Sequence, residues 1–255
     1  MQVQDIELSI EIAAPPEVVF KYFSDPRLYR TWMGETSYIE PHPGGTLSVA
    51  FGAGPPALGE ILEWKLNERI VFNWGHGDPA TRGTEGTSHV TISLKPTADG
   101  TLVTLRHSGL PNEMARQGTA GGWRYYLSQL SSVTWTTKMD GKLEALIDAY
   151  VRAWGEDDYS RRAATLAECF AERGELQDKF TTLHGRDSLN AHISTVKPMM
   201  PGMQLRRNGA AQQCHSHVRF PWRIEAADGS SFATGTNFCE LDAAGLLKSV
   251  VGFWD

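Results

Sequence analysis

His215-Ser216-His217-Val218-Arg219-Phe220-Pro221-Trp222-Arg223-Ile224 is the stretch on which the reading of the fold turns. Ser216, Val218, Phe220, Trp222 and Ile224 fall on one side of an extended chain, and His215, His217, Arg219 and Arg223 on the other. One face is apolar and the other cationic. Asp228-Gly229 then marks a turn, a second strand is expected from Ser231 to Leu241, Ala243 to Gly245 turns again, and Leu246 to Trp254 makes a third. The expectation is an antiparallel meander. Such a sheet buries one face and leaves the other to solvent, a subunit or a lined cavity. The cationic face therefore has two readings: an exposed or subunit-contacting surface, or a pocket wall with imidazole and guanidinium groups aimed inward.

The totals bound what surrounds this meander. A chain of 255 residues with 41% apolar and 21% charged residues is ordinary globular material, enough for one large domain or two of usual size. A net charge of -6 argues against general nucleic-acid binding, which needs a basic balance or stripe. Cys169, Cys214 and Cys239 are odd in number, far apart and free of Cys-x-x-Cys spacing, so neither a disulfide framework nor a zinc site is expected. The first residues lack the basic and apolar regions of a signal peptide, and there is no run of about eighteen apolar residues. A soluble, cytoplasmic protein without membrane contact is the expectation.

From the start of the chain, Ile6, Leu8, Ile10 and Ile12 alternate as in a strand, and Pro15-Pro16-Glu17 opens a helix carrying Val18, Val19, Phe20 and Phe23. A short helix is expected over Pro26 to Trp32. Strands follow around Thr46 to Phe51, Gly59 to Lys65, Arg69 to Trp74, Ser88 to Lys95 and Thr101 to His107, with Asp99-Gly100 as a hairpin signal. Gly122 to roughly Lys138 reads as one long helix, with Trp123, Tyr126, Leu127, Leu130 and Val133 at helical spacing. This is an α+β layout in which a curved antiparallel sheet wraps a helix.

At this point the sequence resembles a family. Ala14-Pro15-Pro16-Glu17-Val18-Val19-Phe20, Pro41-His42-Pro43-Gly44-Gly45, Arg69-Ile70-Val71-Phe72-Asn73-Trp74, Gly100 to His107 and Gly121-Gly122-Trp123 occur in the order found in the START-like helix-grip superfamily. The branch resembled is the one named after the activator of the heat-shock ATPase. The resemblance implies an apolar cavity and no single activity. Trp32, Phe72, Trp74, His107, Trp123 and Tyr126 are its candidate lining residues; the alternative is plain core for the aromatic residues and a hydrogen-bonded core histidine for His107.

A boundary is expected at Met139-Asp140-Gly141, giving domains 1-138 and 139-255. Lys142 to Trp154, Tyr159 to Phe170 and Gly185 to Val196 read as three helices before the terminal strands, which begin near Met203. Leu146 to Trp154, Gly185-Arg186-Asp187-Ser188-Leu189, His217 to Trp222, Gly235-Thr236-Asn237-Phe238 and Gly252-Phe253-Trp254-Asp255 resemble the cone-shaped α+β barrel shared by nuclear transport factor 2, ketosteroid isomerase and SnoaL-like polyketide cyclases. That fold hosts enzymes and plain binders alike. In SnoaL-like cyclases a carboxylate on the penultimate strand removes a proton next to a carbonyl without metal or cofactor. Aligned on Gly-x-x-Phe, that position is Asn237.

An amide is no general base near neutral pH, but it can donate to a carbonyl or enolate, or else satisfy nearby backbone groups. Its neighbours by alternation, Gly235 and Cys239, are small and are expected to leave room for a ligand. Asp178 lies where the family often has a cavity-facing acid, with Asp178-Lys179 in place of the more usual Asp-Pro. His217 has the ordinary titration range of a general base, and Arg219 and Trp222 are further ligand-binding candidates. His215 and His217 make at most half a metal site, so no metal is expected. Gly52-x-Gly54 followed by two prolines is a turn, not a phosphate loop, and the common nucleophile, Walker and zinc-protease motifs are absent.

The expected function is binding of a small hydrophobic, ring-containing molecule without a cofactor. The alternatives are a cofactor-independent isomerase, cyclase or hydrolase in the C-terminal domain built on Asp178, His217 and Asn237, and a protein-interaction or chaperone-regulating role. A homodimer through the C-terminal sheet is implied by the fold resemblance.

Overall fold

A computed structural model of the chain describes residues 4–76 and 88–255. The chain separates into two compact units, Met1–Thr134 and Trp135–Asp255, each built on its own seven-stranded sheet. The fold is mixed α and β, with curled, mainly antiparallel sheets against helices.

In the first unit, β1 (Ile6–Ile12) is followed by α1 (Pro16–Ser24), α2 (Pro26–Tyr29), β2 (Thr36–Ile39), β3 (Thr46–Ala50), β4 (Ala57–Lys65), β5 (Arg69–His76), β6 (Ser88–Thr97), β7 (Gly100–Ser108) and α3 (Glu113–Met139). The sheet order β1-β7-β6-β5-β4-β3-β2 is antiparallel throughout. Pro16 starts α1 where no amide hydrogen is missed. Asp25 caps α2 by accepting from Arg27 N at 2.8 Å. The four-residue β2 gave no sequence signal. The long helix starts well before Gly122, because Asn112 Oδ1 accepts from Ala115 N at 2.9 Å; its glycines, poor helix formers, hid that first part.

The sheet coils at β4. A β-carbon on Gly59 would lie 2.1 Å from the Asn73 carbonyl oxygen, so only glycine permits this approach. Ladder pairing lapses there, and buried Asn73 compensates by accepting from Glu60 N through Oδ1 at 2.7 Å. The curled sheet closes over Phe20 and Phe23 of α1 and Trp123, Leu127 and Leu130 of α3.

The division of the chain falls inside α3, whereas the sequence places a boundary after it. The second unit contains α4 (Leu143–Gly155), α5 (Tyr159–Cys169), β8 (Phe170–Gln177), β9 (Thr182–His184), α6 (Arg186–Val196), a 3-10 turn (Lys197–Met199), β10 (Gln204–Arg207), β11 (Gln212–Cys214), β12 (His217–Glu225), β13 (Ser231–Leu241) and β14 (Leu247–Trp254). Sheet order is β10-β12-β13-β14-β8-β9, with β11 also on β12. The expected meander is β12-β13-β14, antiparallel throughout, with one change at its start and one in the sheet around it. β12 begins at His217, because His215 adopts φ 54 and turns the chain back from β11. The sheet is not wholly antiparallel, because β14 pairs in parallel with β8, a strand hidden between two helices.

Burial alternates along β12 as the sequence requires, with Val218, Phe220, Trp222 and Ile224 inside. Tyr150, Leu166, Phe170, Leu189 and Ile193 of the helices and β8 are buried as well, and the Tyr150 ring meets Phe220 edge to face at 6.1 Å. Asp158 caps α5 through Arg161 N at 2.8 Å. Arg162, 1% exposed, joins α5 to α6 through neutral acceptors: Nε to Asn190 Oδ1 at 2.6 Å, Nη1 to Glu156 O at 2.7 Å, and Nη2 to Ser194 Oγ. A buried cation held this way needs every donor met, which fixes the helix register.

Candidate functional site

A cavity of about 250 Å³ lies in the second unit, between the inner sheet face and α4 and α6. Strand alternation supplies its floor: Trp222 and Ile224 from β12, Asn237 from β13, and Val250, Gly252 and Trp254 from β14. Tyr150 and Trp154, four apart on α4, and His192 on α6 form the opposite wall. Asp178 and Phe180 close the rim just beyond β8.

Trp222 Nε1 donates to Asn237 Oδ1 at 2.9 Å in a buried hydrogen bond. An indole N–H can only donate, so the oxygen of this amide is fixed against Trp222 and the amino group is what Asn237 offers to the cavity. The expected free space beside Gly235 is not there. A β-carbon on Gly235 would stand 2.3 Å from the Trp222 ring and 2.2 Å from Phe253 O, so that glycine makes room for the indole and not for a ligand.

Asp178 and Asn237 come together across Gly252. A β-carbon at Gly252 would lie 3.2 Å from Asn237 Oδ1 and 3.4 Å from Asp178 Cβ. The carboxylate is held from two sides. Oδ1 accepts from Phe180 N at 2.8 Å and Thr181 N at 2.9 Å, an Asx turn, while Oδ2 receives Trp254 Nε1 at 3.3 Å. Trp222 and Trp254 meet edge to face at 4.9 Å, and the exposed Phe180 ring rests on Trp254 at 5.2 Å.

On the helical wall, Tyr150 is 1% exposed and burial pushes its phenol up from the ordinary value. The Trp154 indole is near enough to favour the phenolate slightly, yet its Nε1 is buried without an acceptor in hydrogen-bonding geometry. Its ring also meets His192 at 6.3 Å. In the sequence Tyr150 and Trp154 read as one apolar helix face, and His192 and Trp254 carry no site signal. The available signal was Tyr150 and Trp154 at helical spacing on an apolar face, each with a polar tip.

His217 and Arg219 are elsewhere. Both are exposed on the outward face of β12, and Arg219 Nε donates to Gln212 Oε1 at 2.7 Å. The same alternation that sends Trp222 into the cavity excludes them from it. That side of the strand is the surface reading of its cationic face.

In the first unit, Trp74, Trp123 and Tyr126 border a cavity of about 400 Å³ together with Met33 and Phe51. Trp32, Phe72 and His107 are buried core instead. Trp32 Nε1 donates to Tyr22 O at 3.0 Å. Trp123 Nε1 donates to His107 Nδ1 at 2.9 Å, so His107 Nε2 carries its proton and gives it to Ser88 Oγ at 2.6 Å. Ser88 Oγ passes the chain on to Trp74 O at 2.7 Å. His107 is thus the hydrogen-bonded core histidine of the two readings. Among the described residues, no group of three His, Cys, Asp or Glu is arranged to hold a metal ion.

Residues 13–134 match the family model of Activator of Hsp90 ATPase homolog 1-like protein. The N-terminal half therefore resembles that family, as read from its motifs. Among solved structures, the chain is similar to a SnoaL-like family protein of Agrobacterium tumefaciens, with 29% identity over 44% of this chain and 95% of that one, at a TM-score of 0.42. It is also similar to the Aha1 dimer of Colwellia psychrerythraea (16% identity, 50% and 93% covered, TM-score 0.44). An Hsp90 activator of Plasmodium falciparum is a further relative in structure (21%, 51% and 96%, 0.43). No curated protein matches the chain.

Proposed function

We propose that the second unit binds a small, ring-containing apolar molecule in the cavity between Trp222 and Trp154, without a cofactor. The observation that carries this reading is the Trp222-clamped Asn237 amide set into an otherwise largely aromatic and aliphatic wall. Binding sites of this kind use apolar surface for affinity and a few placed polar groups for orientation. At about 250 Å³ the cavity exceeds the roughly 150 Å³ that accepts a benzene, and suits one or two fused rings. Native mass spectrometry of the full chain after exposure to a mixed pool of aromatic and polyketide-like compounds tests it. A retained ligand, lost on Trp222→Ala substitution, is the expected result; a chain that emerges empty from every pool overturns it.

The approach of Asp178 to Asn237 across Gly252 favours a second reading, a cofactor-independent isomerase, cyclase or hydrolase. Asp178 Oδ2 would take a proton next to a carbonyl while Asn237 Nδ2 polarises the carbonyl oxygen. Deuterium exchange at the α-carbon of a bound ketone, abolished by Asp178→Asn, distinguishes a catalyst from a binder.

The same proposal divides the chain into a helix-grip domain, 1-138, and a cone-shaped SnoaL-like domain, 139-255, in the cytoplasm. The unit-one cavity beside Trp74 and Trp123 is its second ligand space. It also includes a homodimer through the outward face of β13 and β14, where Phe238 and Phe253 are 46% and 57% exposed and meet edge to face at 5.6 Å. A monomeric mass at micromolar concentration contradicts that part. The chaperone-regulating alternative rests on family resemblance alone and predicts a stoichiometric chaperone complex insensitive to small ligands. Among the described residues no helix is long and apolar enough to cross a membrane.

A further inference from the structure

Three ring contacts in the first unit join four aromatic residues into one wall. Tyr126 meets Phe51 at 5.4 Å, Phe51 meets Trp74 at 6.1 Å and Trp74 meets Trp123 at 5.4 Å, with interplanar angles of 46°, 53° and 49°. Rings packed beside α1 stand differently: Phe23–Trp32 and Tyr29–Trp32 cross edge to face at 76° and 85°. Successive half-way tilts, in four rings that line one cavity, make a bowl. Met33, Gly118, Thr119, Gly122 and Tyr125 complete its lining, without a lysine, arginine or histidine among the described residues. Burial, then Tyr125 and the Glu35 carboxylate, push the Tyr126 phenol up from its ordinary value, so a negative charge stands within electrostatic reach of the wall. Gly118 and Gly122, one turn apart on α3, face open space: a β-carbon on either meets nothing within 4 Å. Alanine would fit at both and is the better helix former, so these glycines meet no packing need and keep the bowl open.

We infer that the first-unit cavity is an aromatic cage for a small, multiply methylated ammonium ion, seated against Phe51, Trp74, Trp123 and Tyr126. The inference rests on the reading of this cavity as a ligand space and adds the ligand's chemical class. Ring faces carry negative potential, and a rounded cation meets several tilted faces at once where a flat ring meets one. A primary ammonium would bring three N–H donors to a wall of ring faces. A methylated one brings none. At about 400 Å³ the cavity holds such a head and a short attachment, not the acyl chains of a lipid.

The test is NMR titration of the full chain with choline and with its neutral carbon isostere, 3,3-dimethylbutan-1-ol, followed on the indole N–H signals. Transfer from water favours the neutral alcohol, so a preference for choline has to come from its charge. The expected result is at least about tenfold tighter binding of choline, with shifts at the Trp74 and Trp123 indoles. Glu35→Gln, at an exposed position, should weaken choline about two- to threefold and leave the alcohol unchanged. Gly122→Leu should fill the bowl and weaken choline at least about tenfold. Choline binding untouched in Gly122→Leu overturns the inference. The alcohol binding as tightly as choline also overturns it but leaves the cavity a ligand space, whereas binding of neither probe removes both. The wild-type ratio decides the matter even if Gly122→Leu does not fold.

Discussion

Trp222 and Asn237 lie diagonally across the β12–β13 ladder, and a single 2.9 Å bond from indole to amide oxygen decides which end of the amide is left toward the cavity. Phe220, not Trp222, is opposite Asn237 in register, and Gly235 opposite Trp222 gives the indole the room to lean across. Trp222→Phe keeps the ring and removes the donor. Urea unfolding should show a loss of about 1–3 kcal/mol, the usual cost of leaving a buried partner unmet. Affinity for the proposed ring-containing ligand should fall as well, since the amide is then free to turn. Unchanged stability would mean that the bond does not form in solution.

Gly252→Ala places a methyl group between Asn237 and Asp178, at 3.2 and 3.4 Å from their nearest atoms. Neither neighbour is backbone, so a shift of a few tenths of an ångström accommodates it. Ligand affinity should drop at least about tenfold while the unfolding midpoint moves little. A Gly235→Ala variant should behave in the opposite sense, unfolding readily, because its clash is with a backbone carbonyl and a buried ring.

Asn237→Asp introduces a carboxylate at the position where the resemblance to SnoaL-like cyclases implies one. If the site is shaped for proton abstraction, the variant gains α-proton exchange with ketone ligands, seen by NMR in deuterated buffer. A variant that binds as before and exchanges nothing would assign the site to binding alone.

Burial pushes the Cys169 and Cys239 thiols up from 9.0 to about 12. The folded chain holds both in the neutral form, so their contribution to stability is complete below about pH 9 and is lost as pH rises toward 12. Iodoacetamide at pH 8.5 should label exposed Cys214 alone in the native protein, with the other two reacting only after unfolding. Labelling of Cys239 in native protein would show that the strand carrying Asn237 opens.

In the first unit, hydrogen bonds from the Thr46 amide and hydroxyl hold the Glu40 carboxyl at about 2. A depressed value stabilises the fold above the ordinary carboxylate range, and that stabilisation is lost as pH falls from about 4.5 to about 2. Glu40→Gln should flatten the acid limb of the unfolding curve for this unit. An identical limb in the variant would place the acid sensitivity elsewhere.

Most of this architecture was legible because it is periodic. The alternation of Val218, Phe220, Trp222 and Ile224 and the four-residue spacing of Tyr150 and Trp154 follow from strand and helix geometry alone. β8 was not legible: Phe170-Ala-Glu-Arg-Gly-Glu-Leu-Gln alternates weakly and is buried only at Phe170, Gly174 and Leu176. Asp178 and Asn237 could be named from the resemblance, but their approach depends on β14 lying beside both strands, a long-range pairing that no local pattern encodes. His217 and Arg219 were named from their chemistry, and the parity of the strand turned them outward. Trp154 was hidden for the opposite reason. Its size suits a core, and helical spacing does not tell a cavity wall from one.

The placement of β14 has a consequence for synthesis as well. It is wedged between β13 and β8, antiparallel to one and parallel to the other, so among the described residues no other strand pairing joins the early β8–β9 pair to the β10–β13 block. On the ribosome the two halves of this sheet have no shared ladder until Leu247 to Trp254 has emerged. Nascent chains halted before Leu247 should remain open to protease between Gln177 and Gln204, and emergence of β14 should close the sheet and assemble the cavity in one step.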